Sequence, residues 1–141
     1  MNCEGILLVG IPNHPNWLIF AREPYLTNDF PRVIIYVNIR LSSLWVSLRK
    51  DIINHKDILL TSFFNNNNIF WIMNVYSDSS HSTLKYLKDT EANIPNLLIM
   101  TGDFNIRDSI WDLSFPHHLA ISDDLIILAN SFNLDLSIPT H

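Results

Sequence analysis

Short apolar segments, each closed off by Asn, Pro, Asp or Ser, recur along the first half of the chain. Ile6 to Ile11 reads as a strand stopped by Pro12-Asn13-His14-Pro15, and Trp17 to Ala21 reads as a second. Arg32 to Ile39 is β-branched and aromatic, which predicts a third. Ile58 to Phe64 and Ile69 to Tyr76 flank the run Asn65-Asn66-Asn67-Asn68. Asparagine tolerates left-handed backbone, so this run predicts a hairpin loop. Two stretches carry helical spacing instead. One follows Asp78-Ser79-Ser80, with Leu84 and Leu87 inward, Tyr86 a further candidate, Lys85 and Lys88 outward, and Ser79 or Ser80 as its cap. The other starts near Ser122: Asp123 and Asp124 suit a helix N-terminus, and Leu125, Ile126, Leu128, Ala129 and Phe132 form its apolar face. Between the helices, the apolar run Asn96 to Met100 predicts a fully buried strand. The resulting order is strands, helix, buried strand, loop, helix and a short closing strand. No repeat or linker interrupts it.

Composition narrows the class. At 141 residues the chain fits one domain by the usual prior of ~100–200 residues. A 48% hydrophobic and 16% charged composition excludes a disordered chain. The mean hydropathy of +0.13 implies a large core or apolar surface that meets a partner. No apolar run approaches the roughly 18–20 residues that cross a bilayer, and Met1-Asn2-Cys3-Glu4 lacks the basic start of a signal peptide. Cys3 is the only cysteine, which excludes an internal disulfide framework. Fourteen acidic against nine basic residues give a net charge of −5. That counts against a protein that coats DNA nonspecifically, but a nuclease needs only one basic face.

Candidate chemistry sits at two strand ends. In Thr101-Gly102-Asp103-Phe104-Asn105, continued strand alternation would place Asp103 and Asn105 on one face, roughly 6–7 Å apart. That spacing suits a phosphate or a bound water; the same pair can equally cap the next loop. Gly102 gives room for close approach of a backbone or ligand. Phe70, Ile72, Asn74 and Tyr76 share a face, so an amide and a phenol emerge together at the strand's end. They can donate to phosphate oxygens, or simply end the strand. His117-His118 reads as loop surface, since adjacent side chains point apart; Asp108 and Asp112 have no spacing that makes them ligands, and Trp111 reads as packing.

Taken together, Asn74-Val75-Tyr76, a helix, and then Gly102-Asp103-Phe104-Asn105 resemble the exonuclease–endonuclease–phosphatase superfamily. Ile106-Arg107-Asp108-Ser109-Ile110-Trp111-Asp112, Pro31-Arg32-Val33-Ile34 and Ser122-Asp123-Asp124-Leu125 look like the AP-endonuclease-type domain of non-LTR, LINE-like retrotransposons. The resemblance implies an α/β fold, an incomplete DNase-I-like two-sheet sandwich flanked by helices, over residues 1–141. It implies metal-dependent hydrolysis of DNA phosphodiesters, with Mg2+ or Mn2+ as cofactor. Asp103 matches the aspartate that orients or deprotonates water, Asn105 the amide that supports it, and Tyr76 the phosphate-contacting tyrosine. Asp103 and Asn105 also match the metal shell, and Asn74 and Arg107 are substrate-binding candidates. DNA is the implied partner, with a reverse transcriptase of the same polyprotein beside it, no membrane, and the nucleus as location.

The departures from the family pattern bear on activity. The metal-binding glutamate of an early strand has no counterpart: Glu4 and Glu23-Pro24 do not follow a buried apolar strand. The late Asp-His motif is not matched by His141. The expectation is therefore a partial domain, without its N- and C-terminal catalytic strands, with impaired cleavage and unpaired edges that favour association. The alternatives are a catalytically inactive remnant that binds DNA or protein weakly, and a superfamily phosphatase.

Overall fold

The structure, a computed structural model, describes residues 14–21, 31–41 and 43–137. The strand expected at Ile6 to Ile11, together with Glu4, Glu23, Pro24 and His141, lies outside these residues. Among the described residues the strand expectations hold with few changes. β1 is Trp17–Ala21 and β2 is Ile34–Asn38, paired antiparallel with Trp17 opposite Asn38. β3, Trp45–Leu48, was not anticipated: Leu44-Trp45-Val46-Ser47-Leu48 lacks clear alternation, and its pairing with β4 defines it. β4, Ile58–Asn65, and β5, Asn68–Tyr76, form the expected hairpin. Asn66 and Asn67 make its tip with φ of 42° and 75°. Two successive positive φ values match the right-handed twist of the flanking strands, and asparagine reaches them at low cost.

A crossover through α1, Ser82–Thr90, then brings β6, Ile99–Asp103, parallel to β5. Parallel neighbours require such a connection. The order β3-β4-β5-β6 makes a four-stranded sheet, with β1 and β2 a separate two-stranded one. α2, Ala120–Ser131, follows a long loop. The fold is α/β, two sheets flanked by two helices.

Strand alternation builds the core. Ile58 and Leu60 of β4 stand beside Val75 and Met73 of β5 on one face. Leu84 and Leu87 of α1 and Leu128 and Phe132 at the end of α2 cover that face. Met73 and Leu87 are 0% exposed, and each burial stabilises by roughly 1.5–3 kcal/mol. Six consecutive residues of β4 are buried, so both of its faces are covered. The Asn74 amide donates to the Ile34 carbonyl at 3.2 Å and ties β5 to the smaller sheet.

Four local expectations need correction. α1 is not capped by Ser79 or Ser80: His81 holds the N-cap position with φ of 56° and no side-chain cap bond. Ser80 Oγ instead accepts from the Ser82 amide at 3.4 Å, one position too early. α2 begins at Ala120, two residues before Ser122, after Leu119 in extended backbone, and Ser122 is fully buried in its first turn. The run Asn96 to Met100 is not a fully buried strand. β6 lies at the sheet edge, with Leu98 57% and Ile99 48% exposed, while Leu97 alone of the run is buried. Composition cannot distinguish a central strand from an edge, since that depends on a neighbour. Residues 132–137 form no closing strand. Among the described residues no helix is long and apolar enough to cross a membrane.

Candidate active site

β5 and β6 end together. Tyr76 and Asp103 are partners in the parallel register, so their side chains leave the sheet on the same face. The ladder continues one step beyond the strands, where the Ser77 amide donates to the Asp103 carbonyl at 2.8 Å. Gly102 makes this close fit possible. With φ of 152°, a Cβ built there would lie 1.8 Å from the Val75 carbonyl oxygen, inside the neighbouring strand's backbone. The room expected at Gly102 is thus used by β5.

Asp103 and Asn105 do not share an extended face. The strand stops at Asp103, and Asn105 turns into left-handed backbone with φ of 51°. Its amide N–H donates to Asp103 Oδ1 at 3.1 Å, and its Nδ2 donates to the Ser77 carbonyl at 2.6 Å. A short side-chain acceptor two residues back favours this turn over continued strand. Asn105 therefore clamps the Asp103 turn onto the end of β5. The Asp103 carboxylate is exposed, and Tyr76 is half-buried.

The start of β2 lies over this end of β5. Arg32 donates from Nε and Nη2 to the two carboxylate oxygens of Asp57 at 2.8 and 2.5 Å. Its guanidinium sits 4.5 Å from the centre of the Tyr76 ring. Asp57 is 2% exposed, and its carbonyl accepts the Tyr76 amide at 2.9 Å. Asp57, Arg32 and Tyr76 thus form a closed circuit. The Asp57 bond holds the guanidinium above its ordinary pKa against the opposing effect of burial. Asp78 is held below the usual carboxylate range, first by the Ser80 hydroxyl and more weakly by Arg32 and Lys56. Sequence reasoning assigned no role to Arg32 or Asp57, which are 25 residues apart. Opposite charge is the only sequence signal that links the two, although Arg32 also stands in the stretch Pro31-Arg32-Val33-Ile34.

Arg107 lies on the loop after β6 and pairs with Asp112 at 3.0 Å while its guanidinium covers the Phe115 ring. Asn74, on the same face as Tyr76, spends its Nδ2 on Ile34. The loop from β6 to α2 is organised by Asp108, fully buried and accepting from the Ile110 and Leu119 amides at 2.9 and 2.7 Å. His118 presents Nδ1 to Asp108 and Nε2 to Asp123, at 3.0 and 2.9 Å. Two carboxylate partners favour N–H donors on both ring nitrogens, the imidazolium form. Burial pushes the Asp108 carboxyl up, yet the nearby Ser122 hydroxyl and hydrogen bonds with the Ile110 and Leu119 amides and with His118 hold it far below its ordinary value. His118 is raised, first by Asp108 and then by Asp123. His118 lies on the exposed loop, as the sequence suggested, and there bridges Asp108 and Asp123. A groove of about 910 Å3 opens along the outer edge of β6, with Asp103, Asn105 and Arg107 among its lining residues.

Magnesium binds through one or two carboxylates and keeps several waters. Asp57 is committed to Arg32 and Asp78 to Ser80, while the Asp103 carboxylate is exposed with the Asn105 amide oxygen beside it. Among the described residues no three His, Cys, Asp or Glu side chains gather around a common point suited to a metal ion. Asp103 and Asn105 are the described residues that would hold such an ion, and no third ligand of that kind joins them.

No protein-family model matches the sequence, and no curated protein matches it. Among solved structures, the endonuclease domain of TRAS1, a telomere-specific non-LTR retrotransposon, superposes with a TM-score of 0.68 at 14% identity. The match covers 90% of this chain and 58% of that one. This chain therefore shares its fold, a DNase-I-like arrangement of two sheets flanked by helices, with a retrotransposon endonuclease domain.

Proposed function

We propose that this chain is an endonuclease-type domain directed at DNA phosphodiesters, of the kind that non-LTR retrotransposons carry. The observation that carries the reading is the pairing of Tyr76 and Asp103 at the C-terminal ends of adjacent parallel strands, with Asn105 clamped to Ser77. Crevices at the carboxyl ends of parallel strands are where α/β sheets bind ligands. The shared fold supports the same reading.

On this reading each residue has a distinct task. The Asp103 carboxylate orients a water molecule and accepts its proton as the water attacks phosphorus. The Tyr76 phenol donates a hydrogen bond to a phosphate oxygen and stabilises the charge that develops there. Asn105 fixes the turn that aims Asp103, and Asn74 fixes the strand that aims Tyr76. Arg107 is a second cation beside the site, available to backbone phosphates when it leaves Asp112. DNA is the partner, a reverse transcriptase of the same polyprotein is the expected neighbour, and the nucleus is the expected location. Because the described residues gather no group of three metal-ligating side chains, turnover by this chain alone is expected to be slow.

The test is nicking of supercoiled plasmid by folded chain in magnesium, beside Asp103→Ala. Slow nicking that disappears in the variant is expected. Nicking unchanged by the substitution would place the chemistry elsewhere. A folded chain that binds duplex DNA without cutting it would favour the catalytically inactive alternative.

A further inference from the structure

Arg32 is a cation whose surroundings exceed what the fold requires of it. The guanidinium offers about five N–H donors in a rigid fork. Its inner edge uses two of them on Asp57, at 2.8 and 2.5 Å. The Nη1 end faces Asp78 Oδ2 at 3.8 Å, beyond hydrogen-bond reach, and the other Asp78 oxygen is held by Ser80 at 2.5 Å. The Arg32 side chain is 36% exposed where that of Asp57 is 3% exposed.

An arginine that served only to neutralise a buried carboxylate would gain most by being buried with it. Here the guanidinium instead lies over the Tyr76 ring, 4.5 Å from its centre, and the side chain stays 36% exposed. The same Asp57 fixes both partners, the guanidinium through its carboxylate and the tyrosine backbone through its carbonyl. A preorganised guanidinium edge beside a phenol is suited to the oxygens of a phosphodiester, because the fork gives direction as well as charge.

We infer that Arg32 is a phosphate-binding residue of this site, its inner edge locked on Asp57 and its outer edge taking a non-bridging oxygen of the DNA backbone beside Tyr76. The inference rests on the endonuclease reading and assigns that site its substrate-binding cation. Asp78 gives up its long contact when the phosphate arrives.

The experiment measures binding of a short DNA duplex across a salt series, in EDTA so that nothing is cut. The wild-type chain is compared with the double variant Arg32→Gln/Asp57→Asn. That variant removes one positive and one negative charge, so the net charge is unchanged and no buried carboxylate is left alone. Loss of one phosphate contact is expected to lower the slope of log affinity against log salt by about 0.9. Affinity at low salt should fall several-fold. A folded double variant with wild-type slope and affinity would overturn the inference and leave Arg32 as a partner of Asp57 only. A folded wild-type chain that does not bind duplex would remove both this inference and the function it rests on. Should the double variant not fold, labelling of the wild-type chain with phenylglyoxal decides: duplex should protect Arg32, and equal labelling with and without duplex would overturn the proposal.

Discussion

Replacing Gly102 with alanine should damage the site from within the sheet. The new Cβ would stand 1.8 Å from the Val75 carbonyl oxygen and 2.9 Å from the Val75 nitrogen. The first contact is short by roughly 1 Å of anything a packed interior tolerates. Both atoms belong to backbone one pair from the end of the β5–β6 ladder, so no side-chain rotation relieves them. The φ of 152° adds a second penalty for any residue with a Cβ. Overpacking costs roughly 1–3 kcal/mol. A disfavoured backbone conformation costs about 1–3 kcal/mol more. The sum, roughly 2–6 kcal/mol, is a large part of the ~5–15 kcal/mol that holds a typical domain together. In urea it should move the unfolding midpoint down by about 1–3 M. Lys85→Ala, on the exposed side of α1, is the control and should stay within about 0.5 kcal/mol of wild type. Hydrogen exchange gives a local readout: the Ser77 amide, bonded to the Asp103 carbonyl, should lose protection in Gly102→Ala. An alanine variant with the wild-type midpoint and an equally protected Ser77 would refute this account of how Asp103 is positioned.

Two further outcomes follow from the same structure. Asp108 is held below its ordinary pKa, so its contribution to stability is present above the unfolded value of about 3.9 and is lost as pH falls through the lower folded value. His118 is raised, so its contribution is complete below about pH 6.5 and is lost as pH rises through the folded value. The melting temperature should therefore decline on the alkaline side, and His118→Gln should flatten that decline; an unchanged alkaline slope in the variant would contradict the imidazolium assignment. At the hairpin tip, Asn67→Ala should cost about 1–2 kcal/mol because alanine resists φ of 75°, while Asn67→Gly should be neutral or stabilising. Equal urea midpoints for the two variants would dismiss that reading.

The elements legible in the sequence are those whose signal is local. Trp17–Ala21 and the β4–β5 hairpin follow from alternation and from an asparagine run that few other conformations accommodate. Helix α1 follows from the spacing of Leu84 and Leu87. The tetrapeptide Gly102-Asp103-Phe104-Asn105 drew attention to a strand end, and Tyr76 to another, because polar groups there interrupt apolar runs. What they do to one another was not legible. Asn105 reads either as lying beside Asp103 on an extended face or as capping the loop that follows; the turn is what forms, and the Ser77 carbonyl that receives its side-chain amide, from beyond the end of β5, was not legible.

Partnerships across long separations depended on the packed chain. Opposite charge at positions 32 and 57 is one pairing among many until β2 and the β4 approach meet beside Tyr76. His118 reads as surface, and only the packed chain stands Asp108 and Asp123 on either side of it. The run Asn96 to Met100 reads as buried because it is apolar, while β6 is exposed because it lies at the edge of the sheet. Backbone propensity and alternation are set by residues a few positions apart and are written along the chain. Burial, charge pairing and the aim of a polar side chain at a strand end depend on which segments become neighbours, and packing sets that.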